Sequence, residues 1–228
     1  MAIALLLSVA LCALHASLHL AWKLRPFVSD SFLYLTHLGS PGGLHSWLTI
    51  AVLALLGWVC VLLGREKRRT ATSLAGVFFL LLALDDACEF HEAVGYWLSP
   101  YFAQGGMYVW ILVLGPILAL VGILLFWHFW SSVTTRSRRL LVFFGFACMG
   151  LALVIEAAEG GLHESGIAVR GITLERYAQV PEEFLEFLGA WLLLLCFVRE
   201  LQEARSSGRD RGGVGGSAST PPSHASTG

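Results

Sequence analysis

The segment MYVWILVLGPILALVGILLFWHFW, residues 107–130, decides the fold class, because none of its residues is Asp, Glu, Lys or Arg. A transmembrane α-helix needs about 20 consecutive, mainly apolar residues to cross the hydrocarbon core of a bilayer. Five further segments meet or approach this requirement, namely residues 2–22, 46–63, 73–92, 140–159 and 181–198. The sequence therefore predicts an all-α, polytopic membrane bundle of about six transmembrane helices, which forms one domain over residues 1–204.

The overall composition agrees with a membrane protein. Hydrophobic residues make up 56% of the 228-residue chain and charged residues only 14%, whereas soluble domains carry about 25% charged residues. We therefore expect the lipid bilayer as the main partner, and no nucleic acid. Residues 205–228 are rich in Ser, Gly, Pro and Arg, which predicts a disordered cytoplasmic tail. The five cysteines show no CxxC spacing, which favours packing roles over disulfides or a zinc knuckle.

The positions of Lys and Arg predict the orientation. If the N-terminus lies in the cytoplasm and the chain crosses six times, the cytoplasmic segments contain eleven Lys and Arg residues and the outer segments four. Positive charges concentrate on the cytoplasmic side of membrane proteins, so both termini are predicted to be cytoplasmic, with a bacterial inner membrane as the location. The first segment lacks the basic start of a signal peptide, which favours a retained span over residues 2–22.

This orientation brings acidic and histidine residues from separate spans to one depth near the outer surface. The third span ends in a polar group in which Asp85, Glu89 and Glu92 would share one helical face. Two histidines of the first span, His15 and His19, lie near the same depth, whereas His45 is interpreted as a loop or interface residue. The candidate ligands are Asp85, Asp86, Glu89, His91, Glu92, Glu156, Glu159, His163, Glu182, Glu183 and Glu186.

Burial of so many carboxylates needs a physical explanation. An ionised carboxylate at the bilayer centre costs about 2.5–3.5 kcal/mol on insertion scales. Protonation, a bound cation or a water-filled cavity would each lower this cost. Carboxylates combined with imidazoles suit Zn, Fe or Mn, so a divalent metal site is the leading hypothesis. Solvation of the outermost carboxylates by headgroup water is the alternative, and Glu182 and Glu183 would also complement a helix dipole.

Two short strings carry a resemblance to known proteins. LDDACEFHE (Leu84–Glu92) and PEEFLEFLGAW (Pro181–Trp191) resemble a pattern of uncharacterised small bacterial multi-pass membrane proteins, in which Asp-Asp precedes His-Glu in one helix and Glu-Glu precedes Gly in a later one. The resemblance implies a shared site at Asp85, Asp86, His91, Glu92, Glu182 and Glu183.

A weaker similarity is to membrane hydrolases of the alkaline ceramidase type, which hold zinc by intramembrane His and Asp residues. In those hydrolases a His-x-x-x-His pair lies on a late helix. The pair with this spacing here, His15 and His19, lies on the first predicted span, which departs from the pattern of that family.

Three functions remain open from the sequence. The first is a metal-dependent hydrolase or oxidoreductase that acts on a membrane-soluble substrate. The second is a cation or proton carrier with the carboxylates as a relay, although the helices are almost wholly apolar inward of Asp85 and Glu186. The third is a non-catalytic accessory membrane subunit.

Overall fold

The structure is a computed structural model and describes residues 43–102, 109–165, 168–169 and 172–213. The prediction of an all-α fold is confirmed. The predicted first span, with His15 and His19, lies outside the described residues. The elements are α1 (Leu44–Glu66), α2 (Thr70–Cys88), α3 (Phe90–Leu98), a 3-10 turn (Ser99–Tyr101), α4 (Val109–Ser132), α5 (Arg136–Ser165), β1 (Ala168–Val169), β2 (Ile172–Thr173) and α6 (Leu174–Gly213). The two short antiparallel strands, which the sequence did not predict, connect α5 to α6.

Four described helices are long and apolar enough to cross a membrane: α1, α2, α4 and the Arg136–Glu159 part of α5. Their outer faces carry large apolar side chains that are more than half exposed, among them Leu81, Ile123 and Leu124. Such faces suit contact with lipid, because the hydrocarbon core is itself apolar. Four of the six predicted spans therefore correspond to helices that are long and apolar enough to cross a membrane.

Helix α6 contains the predicted span 181–198 but begins and ends well outside it. Its uninterrupted apolar stretch runs only from Phe187 to Val198, because Glu186 precedes it and Arg199 follows it. The helix packs against α5 and α1, and its residues Phe187 and Leu193 are fully buried. Helix α6 is thus covered by its neighbours. It continues to Gly213, so residues 205–213 of the predicted tail are helical, and residues 214–228 lie outside the described residues.

Two pairs of glycines allow close approach of neighbouring helices. A Cβ atom on Gly76 of α2 would lie 2.6 Å from the carbonyl oxygen of Gly57 in α1, and a Cβ on Gly189 of α6 would lie 2.7 Å from the carbonyl oxygen of Gly145 in α5. Membrane helices commonly use small residues where their backbones meet. These contacts fix α1 against α2, and α5 against α6.

The third predicted span differs from the expected continuous helix 73–92. Helix α2 ends at Cys88, and Glu89 has φ 52° and ψ 39°, which is the left-handed region. Helix α3 begins at the next residue. The expected common face of Asp85, Glu89 and Glu92 is therefore wrong, because helical spacing does not continue through Glu89. The change of direction instead brings His91 back to Asp85.

At the opposite end of α6, ion pairs join three parts of the bundle; we call this cluster of Lys67, Arg138, Glu200 and Glu203 the basic end. Glu200 accepts hydrogen bonds from Lys67 at 2.5 Å and from Arg138 at 2.6 Å, and Arg138 also contacts Glu203. Burial raises the pKa of Glu200, but hydrogen bonds and charges of Lys67 and Arg138 outweigh burial and hold this pKa below its usual value.

We expect Gly76→Val to destabilise the bundle by about 1–3 kcal/mol, because the added side chain would force α2 away from α1. Gly122→Ala is the matched control, since a Cβ atom there would meet nothing within 4 Å. The measurement is denaturant-induced unfolding of both variants in the same detergent micelles. Equal stability of Gly76→Val and the wild type would contradict the close packing of α1 and α2.

Candidate functional site

A cavity of about 400 Å³ lies between the helices and receives ionisable side chains at one end. These side chains come from α2, α3, α5 and α6, so distant parts of the sequence meet here. We call this group the acidic end of the cavity; it consists of Asp85, Asp86, His91, Glu156, Glu182 and Glu186. The structure therefore brings together six of the eleven candidate ligands.

The Asp85 carboxylate holds His91 by two hydrogen bonds. The Nδ1 atom of His91 lies 2.8 Å from Oδ2 of Asp85, and the backbone N–H of His91 donates to Oδ1 at 3.1 Å. The imidazole also packs on the ring of Trp110, with 4.6 Å between ring centroids. Both contacts depend on the left-handed residue Glu89, which reverses the chain between the two partners. The imidazole is consequently fixed in position, with Nδ1 directed to Asp85.

The environment of His91 favours its protonated form. Burial lowers the pKa of His91, but the hydrogen bond and the charge of Asp85, followed by the charges of Glu156 and Glu92, outweigh burial and raise this pKa to about 9. An imidazolium at neutral pH is the expected state of this side chain. The other ionisable side chains that line the cavity in the described ranges are all carboxyl groups.

A gap separates the second nitrogen of His91 from Glu156. The distance between Nε2 and Oε1 is 4.0 Å, which is too long for a hydrogen bond. The two side chains are only 20% and 23% exposed. The midpoint of this separation is about 2.0 Å from each atom, a length that a bond to a metal ion can have but that is too short for any non-bonded ligand atom.

Three other carboxylates line the same cavity from α2 and α6. Asp86 has a buried Oδ2 atom without a hydrogen-bond partner in the described part of the chain. Glu186 lies close enough to Asp86, Glu183, Glu156 and His91 to interact electrostatically with each of them. The residues that line the cavity in the described ranges include no Lys or Arg. The acidic end therefore collects five carboxyl groups and one imidazole without a Lys or Arg partner.

The remaining predicted ligands do not line the cavity. Glu183 points to His45, with 3.3 Å between Oε2 and Nδ1, whereas the sequence analysis interpreted His45 as a loop or interface residue. His45 is only 2% exposed and packs on Phe187. The sequence analysis missed this histidine because it follows the Gly-rich sequence of residues 39–43 and has no helical spacing that connects it to the acidic residues. Glu89 and Glu92 lie at the helix break and in the first turn of α3, and Glu159 is buried in α5. The backbone of His163 lies in α5, and its side chain is outside the described part.

The family of the protein is shown by a match over most of the chain. Residues 2–200 match the family described as "Domain of unknown function (DUF8692)". The chain belongs to this family. No curated protein and no solved structure matches the chain. The DUF8692 match includes every residue of the acidic end and of the His45–Glu183 pair.

The described side chains of this DUF8692 protein offer two candidate donor atoms for a metal ion but do not form a complete metal site. Among the described residues, no three His, Cys, Asp or Glu side chains come close enough together to hold a metal ion in the present rotamers. The His91–Glu156 gap offers two candidate donor atoms. A third donor requires a side chain of the acidic end to rotate, so the metal site stays a prediction.

We predict that His91 titrates at about pH 9 and that Asp85→Asn lowers this pKa, because removal of the carboxylate charge leaves burial as the main influence. Because the folded pKa lies above the ordinary value of 6.5, the pair stabilises the fold fully below pH 6.5 and loses this effect as the pH rises to about 9. NMR titration of labelled histidine would measure the pKa. Glu203→Gln, at the basic end, is the control. Titration of wild-type His91 at its ordinary value would contradict the prediction.

Proposed function

We propose that the acidic end binds a divalent cation inside the membrane domain and that this cation supports hydrolysis or oxidoreduction of a membrane-soluble substrate. The observation that carries the proposal is the geometry of His91. Its Nδ1 atom is engaged by Asp85, and its Nε2 atom faces Glu156 across an open gap. Metal-binding histidines usually donate their second nitrogen to a carboxylate in this way, which fixes the ring and strengthens the ligand.

The size of the gap suits an ion. Bonds from Zn to nitrogen or oxygen are about 2.0–2.2 Å long, so atoms 4.0 Å apart can both reach one metal after a small approach. Zn, Fe or Mn fits a donor set of imidazole and carboxylate. In this arrangement Asp85 orients His91, and Glu182, which also lines the cavity, is available as a further ligand. A bound metal would supply Lewis acidity or redox chemistry next to the apolar part of the cavity.

The concentration of carboxyl groups gives a second reason for cation binding. Asp86, Glu156, Glu182 and Glu186 line one cavity, and like charges in a site of low polarity repel one another strongly. A divalent cation would relieve this repulsion. Because the metal must replace a proton on Nε2 of His91, binding should release a proton and become tighter as the pH rises.

A carrier function is less well supported. From Glu186 to Glu200 along α6 the distance is about 21 Å at a rise of 1.5 Å per residue. The segment between them is apolar from Phe187 to Val198, and a relay through the bundle would need polar groups along this distance.

An accessory role is the third alternative, and no specific contact in the described part of the chain supports it. The Lys and Arg distribution supports our further proposal that the acidic end faces outward from a bacterial inner membrane, with both termini in the cytoplasm.

The test is metal analysis of the full chain, purified without chelators and dialysed against Zn, Mn or Fe(II). We expect about one metal ion per chain, and metal affinity should fall about 10–100-fold in Asp85→Asn because His91 loses its orienting partner. Glu156→Gln should lower metal content at least as much. Glu203→Gln, at the basic end, should leave it unchanged. Absence of stoichiometric metal in the wild type at pH 8, or equal metal affinity of all variants, would contradict the proposal.

A further inference from the structure

The cavity continues from the acidic end as a long apolar groove between α4 and α5. Along α4 its lining extends from Trp110 to Phe126, and along α5 from Phe146 to Glu156. At a rise of 1.5 Å per residue these stretches are about 24 Å and about 15 Å long. The shorter length is about half of the 30 Å hydrocarbon thickness. The groove therefore has the length of a hydrocarbon chain within one leaflet.

Two glycines keep this groove open. Gly122 of α4 and Gly150 of α5 both line it, and a Cβ atom on either would meet nothing within 4 Å. They contrast with Gly145 and Gly189, where a Cβ would lie against the neighbouring helix. Close helix packing thus accounts for Gly145 and Gly189, whereas no atom of the described residues fills the space beside Gly122 and Gly150.

We propose that the groove binds a single-chain amphiphile with a protonated amine headgroup. The hydrocarbon chain lies beside Gly122 and Gly150, and the ammonium group lies at Asp86 and Glu186. This inference deepens the proposed function, on which it rests, by naming the substrate class of the same site. The amine and the metal do not compete for one position, because the metal is assigned to the gap between His91 and Glu156.

Charge complementarity selects the headgroup. Five carboxyl groups line the cavity with one imidazole, and no Lys or Arg lines the described groove. An anionic headgroup would add to repulsion in a site of low polarity, whereas an ammonium group can donate to the unpartnered Oδ2 atom of Asp86. The volume of about 400 Å³ lies near the lower limit of small-molecule pockets, which favours one chain over two.

The experiment compares two photoreactive probes of equal chain length, a hexadecyl primary amine and a hexadecanoic acid, with the full chain in phosphatidylcholine vesicles. We expect the amine to label α4 and α5 residues of the groove and the acid to label them at least about tenfold less, equivalent to about 1.4 kcal/mol. Gly150→Leu and Gly122→Leu should reduce amine labelling about tenfold, since leucine would fill the groove. Ala157→Leu, at an exposed α5 position outside the groove, is the matched control. Glu186→Gln should reduce the preference for the amine.

Three results would overturn the inference. Equal labelling by amine and acid would exclude a cation-selective headgroup site. Amine labelling that persists in both leucine variants would exclude the groove. A disulfide that forms between a cysteine placed at residue 150 and one placed within residues 2–22, and that blocks labelling, would show that the predicted first span occupies the groove.

Metal content measured on the same samples separates the two proposals. Metal binding without amine labelling would leave the proposed function standing and reject the amphiphile. Amine labelling without metal would reject the metal-dependent function and support the amphiphile site alone.

Discussion

The cost of exposing a carboxylate to hydrocarbon determines where α6 lies in this bundle. The helix carries Glu182, Glu183 and Glu186 before its apolar stretch and Glu200 after it, and an ionised carboxylate facing lipid would cost several kcal/mol. Its burial against α1 and α5 avoids this cost. The glycine contact between Gly145 and Gly189 brings the backbones close enough for α5 to cover it. The more apolar helices α2 and α4 can then face the lipid with their large side chains.

The left-handed residue Glu89 is the second determinant of the site. A non-glycine residue in this region costs about 1–3 kcal/mol and persists only where surrounding contacts favour it. The compensating contacts are the two hydrogen bonds between His91 and Asp85 and the packing of the imidazole on Trp110. A continuous helix would separate His91 from Asp85 by six helical positions, which points their side chains to different faces. The free-energy cost of the left-handed backbone at Glu89 is thus offset by contacts that hold the imidazole of His91 in place.

The sequence predicted the helical class and four helices that are long and apolar enough to cross a membrane, because both depend on the length of apolar runs. It also predicted that Asp85, Asp86, Glu156, Glu182 and Glu186 meet, since Lys and Arg distribution gave the direction of each span. It failed where a single backbone conformation decides the geometry, as at Glu89, because no glycine or proline marks that break. It also missed His45, whose contact with Glu183 depends on how α1 packs against α6.

The two polar ends of α6 differ in whether their carboxyl groups have Lys or Arg partners in the described part of the protein. At the basic end, Glu200 is satisfied by Lys67 and Arg138 within the protein, so its charge is neutralised in the folded chain and helps to tie α1, α5 and α6 together. At the acidic end, the cavity brings carboxylates together with His91 as the only cationic side chain that lines it in the described part. Folding alone would favour a similar lysine or arginine there, because a paired charge costs less than an unpaired one. The acidic end instead gathers carboxyl groups without a lysine or arginine beside an apolar groove, and this difference is the feature on which our proposal of cation binding rests.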